Sequence, residues 1–112
     1  MKSIQIDFIP KDQQRYDTVG DWYYDGDTLH IKASGGEDEA FLISLHELVE
    51  AFLCHKHGVT QEQVDQFDFG WFGNGEPGDS SAAPYQKEHR FAMIVEHLIA
   101  HELGLTGYGE IK

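Results

Sequence analysis

Basic side chains are scarce in this 112-residue chain: eight Lys and Arg face twenty Asp and Glu, leaving a formal net charge of -12. A surface that acidic repels phosphate backbones, so nucleic acid is not an expected partner unless a metal or a local cluster supplies positive charge. Cysteine is rarer still. Cys54 stands alone, which excludes an intramolecular disulfide and makes the reducing cytoplasm the expected compartment. The amino terminus lacks a basic-then-apolar leader pattern, and no apolar run approaches the roughly 20 residues of a spanning helix. A membrane partner is not expected either. Internal repeats and low-complexity tracts are also missing, which argues against a solenoid or a disordered arm. A chain of this length suits a single domain over 1–112, with one modest core and one site drawn from its whole length.

The strand signals lie in the first third. Ile4, Ile6 and Phe8 alternate with Gln5 and Asp7, the period-two pattern of a half-buried strand, and Pro10 ends it. Asp21 to Tyr24 and Thr28 to Ala33 flank Asp25-Gly26-Asp27, whose Asp-Gly pair suits the positive dihedrals of a tight antiparallel hairpin. The expected fold is α+β: a small antiparallel sheet of about three strands with two main helices packed together.

Ser34-Gly35-Gly36 breaks the strand pattern, and Glu37, Asp38 and Glu39 place negative charge at an electropositive helix start. A long helix is predicted from there to about His57, with Gly58 as its stop. At about 100° per residue, Phe41, Leu45, Leu48, Val49 and Phe52 share one arc, bordered by Leu42 and Leu53. Thr60 with Gln63 reads as a capping box opening a short element from Gln61 to about Phe67. Residues 68–83 read as loop from their glycines and Pro77, although Phe69, Trp71 and Phe72 are more apolar than a solvated linker requires. Those rings suit either a lid over a substrate or a roof over a small core. Pro84 can start the last helix, which runs amphipathically to Leu103 and stops at Gly104.

His46-Glu47-Leu48-Val49-Glu50 falls within the first long helix, where residues four apart share a face, so His46 and Glu50 can grip one ion. Glu47 points about a quarter-turn away. In the zinc-peptidase motif with this pattern, the residue after the first ligand is the general base, and Glu47 occupies that slot. The last helix carries His89, Ala92, Glu96 and Ala100 on one stripe, and the alanines allow close approach to the first helix. His46, Glu50 and His89 would then form a His₂Glu set with a fourth position open. Glu96 is either a further metal ligand or the acceptor for the second ring proton of a ligating histidine.

Each feature also has a plainer explanation. His46, Glu47 and Glu50 can be ordinary polar residues on a solvated face, but His46 and Glu50 border the apolar arc, where a carboxylate without a cation is costly. His97 and His101 repeat the four-residue spacing, yet Arg90 shares their stripe and opposes a cation, so solvated histidines are expected. His55 and His57 are expected to meet the helix dipole or solvent, with His57 a weak alternative ligand. Cys54 is expected to be a small buried hydrophobe.

Three stretches, Arg15 to Trp22, Leu45 to Ala51 and Pro84 to His89, resemble a family of small proteins encoded by bacteriophages and prophages, and the likeness covers nearly the whole chain. Their plan is similar to a minimal zincin: strands, a helix with a His-Glu motif, and a later helix with a further ligand. The resemblance implies a metallopeptidase-like fold in a bacterial or phage-infected cytoplasm, with His46 as first ligand, Glu47 as base and His89 as distal ligand. The chain departs from the zincin motif at Glu50, where a second histidine is expected; the added negative charge weakens the metal's pull on water and admits manganese or iron beside zinc.

The expected function is a zincin-like hydrolase using a divalent ion, zinc first, on a peptide or small amide substrate. Two alternatives remain. Glu47, Glu50 and Glu96 can hold magnesium or manganese in a phosphohydrolase, although Lys and Arg are short for that role. A non-catalytic phage interaction protein can keep the ion as a structural staple.

Overall fold

The computed structural model describes residues 1–105 and Tyr108. Three strands, β1 (Ser3–Phe8), β2 (Gly20–Asp25) and β3 (Thr28–Ala33), form one sheet in the order β1-β3-β2. Three helices follow: α1 (Glu37–His57), α2 (Gln61–Phe69) and α3 (Gln86–Glu102). Short 3-10 turns at Lys11–Gln13 and Pro77–Asp79 complete the elements. The α+β class and the pairing of two long helices follow the expectation, whereas the sheet is mixed rather than wholly antiparallel.

The reason for the mixed sheet lies in its connections. A two-residue turn joins β2 to β3 antiparallel, with Gly26 at a φ of 59° that an L side chain resists. Phe8 and Gly20 both pair with Ala33, so β1 ends and β2 begins at the same end of the sheet. Residues 9–19 need only cross the end of β3. That crossing makes β1 antiparallel to β2 and therefore parallel to β3. Gln14 fastens the crossing segment, its amide donating to the Ser34 hydroxyl at 2.9 Å.

Register decides which side chains share the helix-facing side. Leu29, Ile31 and Ala33 of β3 are fully buried, and Trp22 of β2 lies beside them against α1. Ile4, Ile6 and Phe8 point to the same face, but β1 is an edge strand outside the cover of α1, and they stay 47%, 43% and 52% exposed. The period-two pattern located the strand; it did not locate the helix above it.

The expected apolar arc of α1 also turns out differently. Phe41 and Phe52 face solvent and Leu45, Leu48 and Val49 are half-buried, whereas Leu42, Ile43, His46, Glu50, Ala51 and Cys54 are buried. This helix is covered on two sides, by the sheet and by α3, so its most enclosed line is the seam between them. Polar ligand-type residues occupy that seam. Cys54 is a buried thiol in the core, as expected.

Terminal signals match closely. Gly58 caps α1 at a φ of 76°, and Thr60 and Gln63 form the reciprocal capping box of α2. α2 runs to Phe69, slightly beyond its expected end, and α3 begins at Gln86 because Pro84 and Tyr85 belong to the preceding turn. Gly104 follows α3 at a φ of 72°.

The exposed and buried apolar rows predict different tolerances. Leu29→Ala should cost about 2–5 kcal/mol of unfolding free energy, because it empties a fully enclosed position. Ile4→Ala should cost under about 1 kcal/mol, since nearly half of that side chain already meets water. Urea unfolding of the two variants beside the parent checks both values.

Candidate metal centre

The seam between α1 and α3 brings together the residues expected from the sequence. His46 Nε2 lies 3.2 Å from Glu50 Oε2 and 3.1 Å from His89 Nδ1, and the latter two atoms are 2.9 Å apart. All three residues are buried. Helical spacing supplies the His46–Glu50 side of this triangle, and Ala92, fully buried on α3, permits the close approach that brings in His89. Donors around a small tetrahedral ion with bonds of about 2.0–2.1 Å stand roughly 3.3 Å apart, so the triangle is close to the size such an ion needs. The buried His46, Glu50 and His89 cluster can hold a metal ion.

Every ligand-type group is tied down on its far side. His46 Nδ1 lies 2.8 Å from Glu96 Oε1, and Glu96 Oε2 accepts from the Tyr108 hydroxyl at 2.7 Å. His89 Nε2 lies 3.1 Å from Asp79 Oδ1. Glu50 Oε1 accepts from the Trp22 indole at 3.1 Å. Such outer hydrogen bonds fix which ring nitrogen faces a metal and leave one carboxylate oxygen directed at it. Glu96 therefore stands behind His46, at the ring nitrogen facing away from the triangle. Of its two expected roles, the geometry gives it that of proton acceptor rather than ligand.

Charge completes the picture. The two imidazoles have Glu47, Glu50, Glu96 and Asp79 within 4 Å, four carboxylates in all. Burial opposes a charged His46, yet hydrogen bonds to Glu50 and Glu96 and the nearby Glu47 carboxylate raise it to about 11. Burial likewise opposes ionised Glu50, but the two histidines more than offset it and bring the carboxyl down to about 2. An excess of negative charge in so enclosed a place favours a cation, whether a proton or a metal ion.

Glu47 differs from its neighbours. Its Oε2 is 3.8 Å from His46 Nε2, and among the described residues no hydrogen bond holds the carboxylate. Burial and the adjacent Glu50 raise its pKa well above the ordinary carboxylate range. Gly20 makes room for it: a Cβ there would stand 3.1 Å from Glu47 Cγ and 2.6 Å from an Ile43 methyl.

No protein-family model, curated protein or solved structure matches the chain.

Several contributors were not legible in the sequence. Trp22 was legible as a strand residue but not as a partner of Glu50, and Asp79 sits in the glycine-rich segment from which no site residue was expected. Gly78 belongs with them, because a Cβ there would stand 2.5 Å from His89 Nδ1. His57 joins neither the triangle nor solvent alone; its Nδ1 lies 2.6 Å from the buried Glu88 carboxylate. His101 and His55 are exposed as expected, while His97 is half-buried against the Tyr108 ring.

Asp68 supports the centre from α2. It accepts from the hydroxyls of Tyr16, at 3.0 Å, and Tyr85, whose ring centroid lies 6.2 Å from that of His89. Of the three rings expected to form a lid or a roof, Phe69 and Trp71 border a cleft and Phe72 is exposed; the ring that packs on the core is that of Phe67, in α2.

Gly78→Ala should push the His89 ring aside and cost about 1–3 kcal/mol in denaturant unfolding, with the His89 resonances displaced in NMR spectra. Asp68 generates a pH prediction. Burial outweighs its tyrosine hydrogen bonds and raises its pKa from 3.8 to about 6, so between those values the folded state holds more protons than the unfolded one. Its contribution to stability is therefore greatest at low pH and falls as pH rises through that window. Asp68→Asn, which keeps an acceptor oxygen but does not titrate, should gain on the parent across the same window. Solvent screening limits the gain to on the order of 1 kcal/mol, measurable by unfolding at several pH values.

Proposed function

We propose that this protein is a zincin-like, metal-dependent hydrolase of peptide or amide bonds, built around an ion held by His46, Glu50 and His89. The observation that carries this reading is the buried triangle of donors, each anchored on its outer side, beside a Glu47 carboxylate without a hydrogen-bond partner among the described residues. Zinc suits a His₂-carboxylate set best, with manganese or iron as alternatives because the third donor is a carboxylate.

When bound, the ion supplies a Lewis acid that polarises the scissile carbonyl. The chain's own residues do the rest. Glu96 and Asp79 each accept a ring proton from a histidine and so keep the other ring nitrogen free to donate electrons. Trp22 holds one oxygen of Glu50 and leaves the second for the ion. Glu47, adjacent to the triangle and held there by the space Gly20 leaves, takes the proton of the attacking water and returns it to the departing amine. Its desolvated surroundings favour the protonated form in that second step.

A structural ion is the second reading, favoured by the depth of the triangle, whose ligand side chains are only 5–8% exposed. The phosphohydrolase reading draws less support, because Glu96 lies outside the triangle and no Lys or Arg is among the polar contacts of its three members.

Metal analysis of protein purified without a histidine tag should find about one equivalent of divalent ion, retained in Glu47→Gln and lost in His46→Ala. Turnover of amide substrates should fall at least about 100-fold in Glu47→Gln. Metal-free parent protein would reject the site. Unchanged turnover in Glu47→Gln would reject the base, and a full metal load without turnover of amides or phosphoesters would leave the structural ion.

A further inference from the structure

A cleft of about 480 Å³ lies between the segment that joins β1 to β2 and the segment that follows α2, within the range that holds a small ligand or a short stretch of peptide. Three of its wall residues are one step from the triangle or its base. Val19 precedes Gly20, which packs on Glu47; Pro77 precedes Gly78, which packs on the His89 ring; and Asp68 binds Tyr85, which faces that ring. The cleft thus shares neighbours with the centre, while His46, Glu47, Glu50 and His89 themselves do not line it.

The lining has two characters. Tyr16, Phe69 and Trp71 supply aromatic rings, with Tyr16 and Phe69 edge to face at 5.0 Å. Asp17, Asp68 and Glu76 supply three carboxylates against one cation, Lys11, and Lys11 is paired with Asp17 at 3.2 Å. Asp68 is bound by two tyrosines, which leaves Glu76 exposed and without a charged partner among the described residues. Rings beside carboxylates attract a cation with an apolar stem, and an anion there meets uncompensated repulsion. The protein itself shows the pairing: the Arg15 guanidinium lies 5.4 Å from the Phe69 ring centroid and 4.7 Å from that of Tyr23.

We propose that this cleft binds a lysine or arginine side chain of a peptide substrate, the stem against Phe69 and Trp71 and the charged head toward Glu76. The inference rests on the hydrolase reading only for the word substrate; binding itself needs the cleft alone. Positive charge is short elsewhere on the chain, at eight Lys and Arg, so a cationic segment meets an attractive field on approach as well as at the cleft.

The two tryptophans allow a test that keeps the two proposals apart, since Trp22 donates its indole N–H to Glu50 in the centre and Trp71 donates its own to the Gly75 carbonyl beside the cleft. In ¹H–¹⁵N spectra of the full chain, zinc should move the Trp22 indole signal. Blocked alanine-rich peptides carrying one lysine, arginine, leucine or glutamate should then be titrated separately. The lysine and arginine peptides should move the Trp71 signal and bind at least about fivefold more tightly than the leucine peptide, with the preference lost in Glu76→Lys and weakened by salt. The glutamate peptide should leave Trp71 unmoved. Equal binding of the leucine peptide would overturn the cationic assignment, as would a Trp71 signal that none of the four peptides moves. A response of Trp71 without any response of Trp22 to zinc would support the cleft and reject the metal centre; the reverse would reject the cleft and leave the centre standing.

Discussion

The Glu50 carboxylate is enclosed in the seam between α1 and α3, and the arrangement around it follows from the cost of burying that charge. An ionised carboxylate removed from water is stable only if its lone pairs are taken up by donors or by a cation. Here one oxygen accepts from the Trp22 indole and the other meets the two histidines. That requirement ties together β2, α1 and α3, so the centre also fastens the tertiary structure. The histidines are in turn anchored by Glu96 and Asp79, which carries the constraint outward to the turn at Pro77–Asp79.

The same constraint explains why small residues cluster near the centre. Gly20 leaves space for Glu47, Gly78 lies against His89, and Ala92 lets α3 approach α1. Neither glycine is at a positive φ; a Cβ at Gly20 would collide with Ile43 as well as Glu47, and one at Gly78 with the His89 ring, so close packing sets their size. α2 contributes from the side: Asp65 pairs with Arg15, and Asp68 accepts from Tyr16 and Tyr85. Arg15 also holds the buried Asp21, whose carboxylate is one of those that raise Glu47.

A polar centre within the core also accounts for the apolar surface outside it. Because the seam of α1 is given to His46 and Glu50, Phe41 and Phe52 are left toward solvent, and on α3 Phe91, Ile94 and Leu98 are at least about half exposed. Ordinary amphipathic helices reverse this distribution. The inversion is costly for the fold alone, and it leaves in the seam a cluster that can hold an ion.

Local rules operating within one element were enough for the sequence to determine much of this protein. The period of two marked β1, the Asp-Gly turn marked the β2–β3 hairpin, Thr60 and Gln63 marked the start of α2, and the four-residue spacing placed His46 and Glu50 on one face. The stripe of His89 and Glu96 was legible for the same reason. Only the tertiary structure decided the parallel pairing of β1, the uncovered position of its apolar row, and the doubly covered seam of α1. It alone revealed that Trp22, Asp79 and Gly78 serve the centre and that Glu96 stands behind His46. Helical and strand periods specify angles about one axis, whereas these contacts depend on the distance and rotation between elements that are far apart in the chain.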